Sequence, residues 1–265
     1  MSRNQFSEIA GEKIGLETWE VAKFNAIYLI EQKAPEEWCK GIVTKTTSIY
    51  TNDLQPLITN QIHETTRNAL SEVLGICYLG DYALENGISF NITRAAKCVL
   101  DCAASAGVNE NIAAILINRM AKFYSIEKRI MTGGITANLF QTMHIRYQLK
   151  SADICLLQRM IISNGLVELQ NKKYPLDSAS AALDIVDDVF DIFEDSKSMN
   201  GNLFTTFCDD FDRLKIVFDW FISPYKQKIL YNLNTGDFPN YIREYLEKVV
   251  ERIDNCRISL VNNTI

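Results

Sequence analysis

Glycine and proline are scarce in this 265-residue chain, at 12 and 5. Strands joined by tight turns need such residues, and no convincing period-two alternation of apolar and polar residues appears either. The two shortages argue against a β-rich fold. Histidine is scarcer still: His63 and His144 are the only two, and no Cys-x-x-Cys occurs, so the usual ligand sets of a zinc site are missing. No apolar run approaches the ~18 residues of a membrane span, and no integral membrane segment is expected. Positive charge is also short. Lys and Arg total 27 against 33 Asp and Glu, a net charge of −6, which argues against nucleic acid or an anionic membrane as the main partner.

The opening Met1-Ser2-Arg3-Asn4-Gln5 has no apolar stretch of the signal-peptide kind, so a cytoplasmic location is expected. Seven cysteines, an odd number, lie inside apolar patterns at 39, 77, 98, 102, 155, 208 and 256. Reduced, inert thiols are the expected state.

Helical periodicity runs through most of the chain. It predicts helices over about 17–33, 36–52, 61–86, 91–105, 110–131, 136–170, 176–196, 204–222 and 239–262. Breaks are expected at Pro35, Pro56, Gly87, Gly107, Gly133-Gly134, Pro175, Asn200-Gly201-Asn202, Pro224 and Gly236. No internal repeat, low-complexity tract or long linker interrupts them. One all-α domain over residues 1–265 follows.

The stretch from Leu183 to Asp195 holds the strongest functional signal. On a helix, Asp184, Asp187, Asp188, Asp191 and Asp195 fall within about 100° of one another, and Leu183, Ile185, Val186, Val189, Phe190, Ile192 and Phe193 take the other side. No base lies among them before Lys197. Aspartate is a poor helix former and like charges one turn apart repel, so a row of this kind runs against local preference. Hard divalent cations take such oxygen ligands, and Mg2+ is held by a few carboxylates together with substrate phosphates. Asp184, Asp187, Asp188 and Asp191 are the candidate metal ligands. Arg146 and Lys150, one turn apart in another helix, and the adjacent Ser151 are candidate contacts for a phosphate.

Three stretches carry a resemblance. Ala182-Leu183-Asp184-Ile185-Val186-Asp187-Asp188-Val189-Phe190-Asp191 resembles the second aspartate-rich motif of trans-isoprenyl diphosphate synthases. Tyr147-x-x-Lys150-Ser151 is similar to that family's Tyr-x-x-Lys-Thr helix, and Leu79-Gly80-Asp81-Tyr82-Ala83-Leu84 to its Ala-Gly-Asp-x-Leu helix. They occur in the family's order and cover roughly residues 50–210. The resemblance implies a class I isoprenoid synthase-like helical bundle in which Mg2+ and cationic side chains bind and ionise a prenyl diphosphate. It also implies a dry, apolar pocket that keeps water from the carbocation.

The chain departs from that pattern in telling places. The first aspartate-rich motif is reduced to Asp53 in Tyr50-Thr51-Asn52-Asp53-Leu54-Gln55-Pro56, and the paired arginines after it are missing. So is the Gly-Gly-Lys-x-x-Arg segment that holds isopentenyl diphosphate. The family's Gln is Asp184, and its Gly-Lys after the motif is Gly201-Asn202. With one set of cations, the expected activity is terpene synthase-like: ionisation of a single prenyl diphosphate, then cyclisation or quenching. The alternatives are a chain-elongating prenyltransferase, a peptide-prenylating relative, or a catalytically decayed regulatory or partner subunit. A homodimer or a heteromeric partner accords with the resemblance. Asp188→Ala is expected to remove Mg2+-dependent activity and to leave melting close to the parent's.

Overall fold

A computed structural model of the chain describes residues 49, 54–58, 62–85, 87, 89–131, 139–163, 176–192, 202, 204–205 and 210–262. Apart from a 3-10 turn at Gln55–Leu57, the regular elements are α-helices: α1 (Glu64–Glu85), α2 (Ile92–Ser105), α3 (Glu110–Met131), α4 (Leu139–Lys150), α5 (Ala152–Ser163), α6 (Leu176–Phe190), α7 (Phe211–Thr235) and α8 (Asn240–Asn262). The fold is all-α, as expected. The expected helices over 17–33 and most of 36–52 lie outside the described residues, as does Asp53.

The chain forms two compact units. The first comprises Met1–Ala121 and Asp153–Lys172, the second Lys122–Ala152 and Lys173–Ile265. In the first unit α1 packs on α2. Asn91 caps α2, its side chain accepting from the Arg94 N–H at 3.0 Å. The same helix ends through Gly107, at φ 79°, where the Val108 N–H bonds the Ala103 carbonyl at 3.0 Å. A side chain is disfavoured at that left-handed position, which explains the glycine. The Gly80-Asp81 stretch lies inside α1.

In the second unit α6, α7 and α8 pack on one another, and α4 packs on α6. The stripe Ile242, Tyr245, Leu246, Val249, Ile253, Cys256 and Leu260 on α8 follows the 3–4 spacing of one helical face and is fully buried. From α7 come Leu214, Phe218, Phe221, Ile222 and Ile229. Burying a side chain of this size contributes about 1.5–3 kcal/mol, so this interface dominates the unit. Ala179, Ala181 and Ala182 on α6 are buried too, and residues this small let the neighbouring helices approach. Asp210 caps α7, accepting from the Arg213 N–H at 2.7 Å. At its other end Arg243 donates to the Leu233 and Gly236 carbonyls at 2.7 and 3.3 Å, tying the start of α8 to the end of α7.

Two boundaries differ from the sequence pattern. The helix expected over 136–170 breaks at Ser151. The helix expected to end at 222 runs on to Thr235, straight through Pro224. Proline deletes the N–H that would bond the Trp220 carbonyl. Pro224 is exposed and Trp220 is 64% exposed, so the carbonyl released lies on the solvent side, where its loss costs least.

Candidate active site

The site is built on a carboxylate of the second unit, Asp188, on the mostly buried helix α6. Eleven of the helix's residues are buried, from Leu176 to Val189. Asp188 is among them at 5% exposure. A lone buried carboxylate is costly, and α4 supplies what it needs. Lys150 Nζ lies 2.6 Å from Asp188 Oδ1, Arg146 Nη1 lies 3.4 Å from Oδ2, and the Tyr147 hydroxyl donates to Oδ2. Residues 146, 147 and 150 reach one partner because one helical turn brings them to the same side.

Arg146 is itself buried, and a second carboxylate balances it. Glu127 on α3 accepts from Arg146 Nε at 2.8 Å and from Nη2 at 3.2 Å, the paired geometry that suits a guanidinium. The Arg146 guanidinium also stands over the Phe123 and Tyr147 rings, 5.6 and 5.4 Å from their centres. Two carboxylates and two cations thus form a neutral buried cluster, floored by Tyr147 against Phe221 at 6.2 Å.

The charge states follow. Burial alone pushes the Asp188 carboxyl up, but Lys150 and Arg146 outweigh it, and hydrogen bonds from Lys150 and Tyr147 act the same way, so Asp188 titrates below its usual range. For Arg146 and Lys150 burial disfavours the charge. Glu127 and Asp188 reverse this for Arg146, and Asp188 with Asp184 reverses it for Lys150, so both stay charged.

One turn before Asp188 the balance tips the other way. Burial, with Asp188 and Asp187 nearby, pushes the Asp184 carboxyl up to about 6 against the pull of Lys150 and the Ser151 hydroxyl. Asp184 Oδ2 and Ser151 Oγ are both buried without a hydrogen bond among the described residues. The Ser151 hydroxyl is near enough to favour the charged form of Asp184, although neither atom is held in a hydrogen bond of ordinary geometry among the described residues. Asp187 points outward. Its Oδ1 lies 3.1 Å from Arg252 Nη2 on α8, and the two side chains are 55% and 39% exposed. Burial raises its carboxyl, Arg252 and Lys150 pull it down, and Asp188 raises it further. Asp191 is exposed, just past the end of α6.

The four expected metal ligands are therefore divided. Asp188 spends both oxygens on cations and a phenol, while among the described residues Asp184 Oδ2 has no hydrogen bond and Asp187 has the one pair with Arg252. Among the described residues no group of three or more His, Cys, Asp or Glu side chains is arranged to hold a metal ion by itself. The face read from periodicity as one open row is one buried anchor, one half-buried acid and two exposed acids. Asp195 lies outside the described residues. The burial of Asp188 also reverses the expectation that its substitution spares the melting temperature. Of the three expected phosphate contacts, Lys150 and Ser151 stand beside Asp188 and Asp184. Arg146 is sealed in, with Nε, Nη1 and Nη2 all engaged.

Three contributors escape sequence reasoning. Glu127 comes from α3 and Arg252 from α8, far from Asp188 along the chain in either direction, a separation that only tertiary packing bridges. Arg252 carries a signal in the sequence, since it borders the buried stripe through Val249 and Cys256 at three and four residues. Asn202 was visible only as a turn residue. In the structure it is buried, its amide donating to the Asp188 carbonyl at 2.5 Å while its own oxygen accepts from the Phe204 N–H at 2.8 Å.

The five described cysteines, Cys77, Cys98, Cys102, Cys155 and Cys256, are free thiols. Burial pushes Cys256 up to about 12, with Asp187 adding to the effect and Arg252 opposing it, so it is no nucleophile. No described helix is long and apolar enough to cross a membrane. Compared with known proteins, the chain matches no family model, no curated protein and no solved structure.

Proposed function

We propose that the second unit carries a diphosphate-binding active site, and that the protein is a Mg2+-dependent, terpene synthase-like enzyme that ionises one prenyl diphosphate. One observation carries this reading. Lys150 is held charged by Asp188 and stays a quarter exposed, next to two buried oxygens, Asp184 Oδ2 and Ser151 Oγ, that have no partner among the described residues. A buried polar atom left unbonded costs about 1–3 kcal/mol, a cost a bound polar ligand removes.

The residues suit Mg2+ in a limited way. Asp187 and Asp184 offer unspent oxygens and Asp191 lies one turn on; Asp188 does not take part. Mg2+ is content with one or two carboxylates when phosphate oxygens and water complete its shell, so it would be held at Asp187 and Asp184 once diphosphate arrives. Bound there, it supplies neutralisation of the leaving diphosphate.

The chain's own residues perform the rest. The Lys150 ammonium, with one hydrogen bond among the described residues spent on Asp188, has two N–H groups to offer a diphosphate oxygen. Its field favours heterolysis of the C–O bond, the electron pair leaving with the diphosphate. Arg146, Glu127 and Tyr147 hold Asp188, and Asp188 holds Lys150, so the ammonium is oriented before the substrate enters. Ser151 donates or accepts beside it. Incubating the protein with Mg2+ and prenyl diphosphates of increasing length, and reading released diphosphate and organic products, tests the reading. Labelled isopentenyl diphosphate distinguishes the chain-elongating alternative by incorporation into a longer product.

A second reading has its own observation. Because Asp188 is fully engaged, the cluster also serves as an internal brace of a non-catalytic subunit. That reading requires that neither Mg2+ nor a diphosphate bind, and calorimetry on the intact protein separates the two.

A further inference from the structure

We infer that Arg252 is a diphosphate-binding residue that occupies Asp187 in the ligand-free protein and leaves it for the ligand; this rests on the diphosphate reading above. The two arginines of the site contrast sharply. Arg146 is buried and uses three nitrogens. Arg252 is partly exposed and makes one hydrogen bond among the described residues, from Nη2 to Asp187 Oδ1 at 3.1 Å. A guanidinium has five N–H donors, so four remain to offer.

Position supports the same role. The Arg252 stem rises from the row Val249, Arg252, Cys256, whose flanking members are buried. The root is thereby fixed while the head stays in water. Asp187 lies within the field of both Lys150 and Arg252. Lys150 bonds Asp188 and Arg252 bonds Asp187, so two cations with spare donors hold adjacent carboxylates of α6, the helix that also carries the unbonded Asp184 Oδ2.

An exposed ion pair of this kind is worth little, about 0–1 kcal/mol, so exchanging it is easy. A diphosphate offers Arg252 two oxygens in the forked geometry a guanidinium prefers. Transfer of Arg252 to the ligand uncovers Asp187 for a divalent cation. The same side chain thus keeps the acid neutralised when no ligand is present and contributes to binding when one is. No bond is made or broken in this exchange.

Calorimetry with inorganic pyrophosphate and MgCl2 tests it, using the full chain, Arg252→Gln and Arg252→Lys. Arg252→Gln is expected to bind Mg2+-pyrophosphate about 10- to 100-fold more weakly, the factor a charge-assisted contact is worth, with Arg252→Lys in between. Mn2+ alone, followed by electron paramagnetic resonance, is expected to bind Arg252→Gln more tightly than the parent, since Asp187 is then uncovered. In the parent itself, phenylglyoxal is expected to modify Arg252 in the free protein and to be blocked by Mg2+-pyrophosphate. This last measurement needs no variant to fold. Binding of pyrophosphate by the parent with unchanged affinity in Arg252→Gln, or with no protection of Arg252, overturns the inference and leaves the diphosphate reading standing. No binding by the parent overturns both.

Discussion

Asp188→Asn keeps the shape of the side chain and removes its charge, leaving Lys150 without its buried partner and Arg146 with Glu127 alone. Breaking a buried pair by removing one member costs about 3–5 kcal/mol, because the other charge stays behind in a poorly solvating place. Lys150 is a quarter exposed and recovers some hydration, which places the expected loss near the lower figure, about 3 kcal/mol. For a chain of this size each kcal/mol moves Tm by roughly 2–4 °C, so a fall of roughly 6–12 °C is expected by circular dichroism. Asp237→Asn, at an exposed site between α7 and α8, is the control and is expected to stay within about 0.5 kcal/mol of the parent. Adding Lys150→Met to Asp188→Asn is expected to recover part of the loss, since the stranded charge is then gone. A parent-like Tm for Asp188→Asn would refute the idea that Asp188 is a buried anchor.

Further outcomes are expected. Tyr147→Phe removes one hydrogen bond to a carboxylate and should cost about 1.5–3 kcal/mol in urea unfolding, with no change in m-value. For pH, the Asp184 carboxyl is raised to about 6, so its contribution to stability is present below its unfolded value near 4 and fades as pH rises through 6. Asp188 is lowered, so its contribution is present above about 4 and fades as pH falls further. The ligand-free parent should therefore gain stability between pH 7 and 5 and lose it below 4, and Asp184→Asn should flatten the first limb, as thermal melts across pH will read. Pro224→Ala restores an N–H inside α7 and should stabilise by less than the ~3 kcal/mol of a proline in a helix interior, because the site faces water; a lower Tm would contradict the view that Pro224 is merely tolerated.

The helices of the described chain were largely legible from periodicity and punctuation. Asn91 and Gly107 bound α2, residues 110–131 match α3 at both ends, and Gly236 marks the approach to α8. Pro224 misled because a proline on a helix's wet side can be carried through, and sidedness is invisible until the partner helices are known. The break at Ser151 carries no glycine or proline to announce it. Within the site, the acidic stretch and Lys150 were visible because each is a local pattern. Their roles were not, because whether a carboxylate faces water or a cation depends on which distant residue packs over it. Glu127 and Arg252 illustrate this: each is an ordinary charge on a charged helix until tertiary packing brings it to Arg146 or Asp187.

The neutral sum of the Glu127, Arg146, Lys150 and Asp188 cluster constrains how this sequence is able to drift. Any single change of charge among the four leaves an uncompensated ion in the interior, so single steps are penalised and compensated double steps are not. The four positions behave as one heritable unit. Relatives are expected to keep all four charges or to exchange them as matched pairs, and a paired exchange at 150 and 188 is a better guide to kinship than the aspartate count on α6.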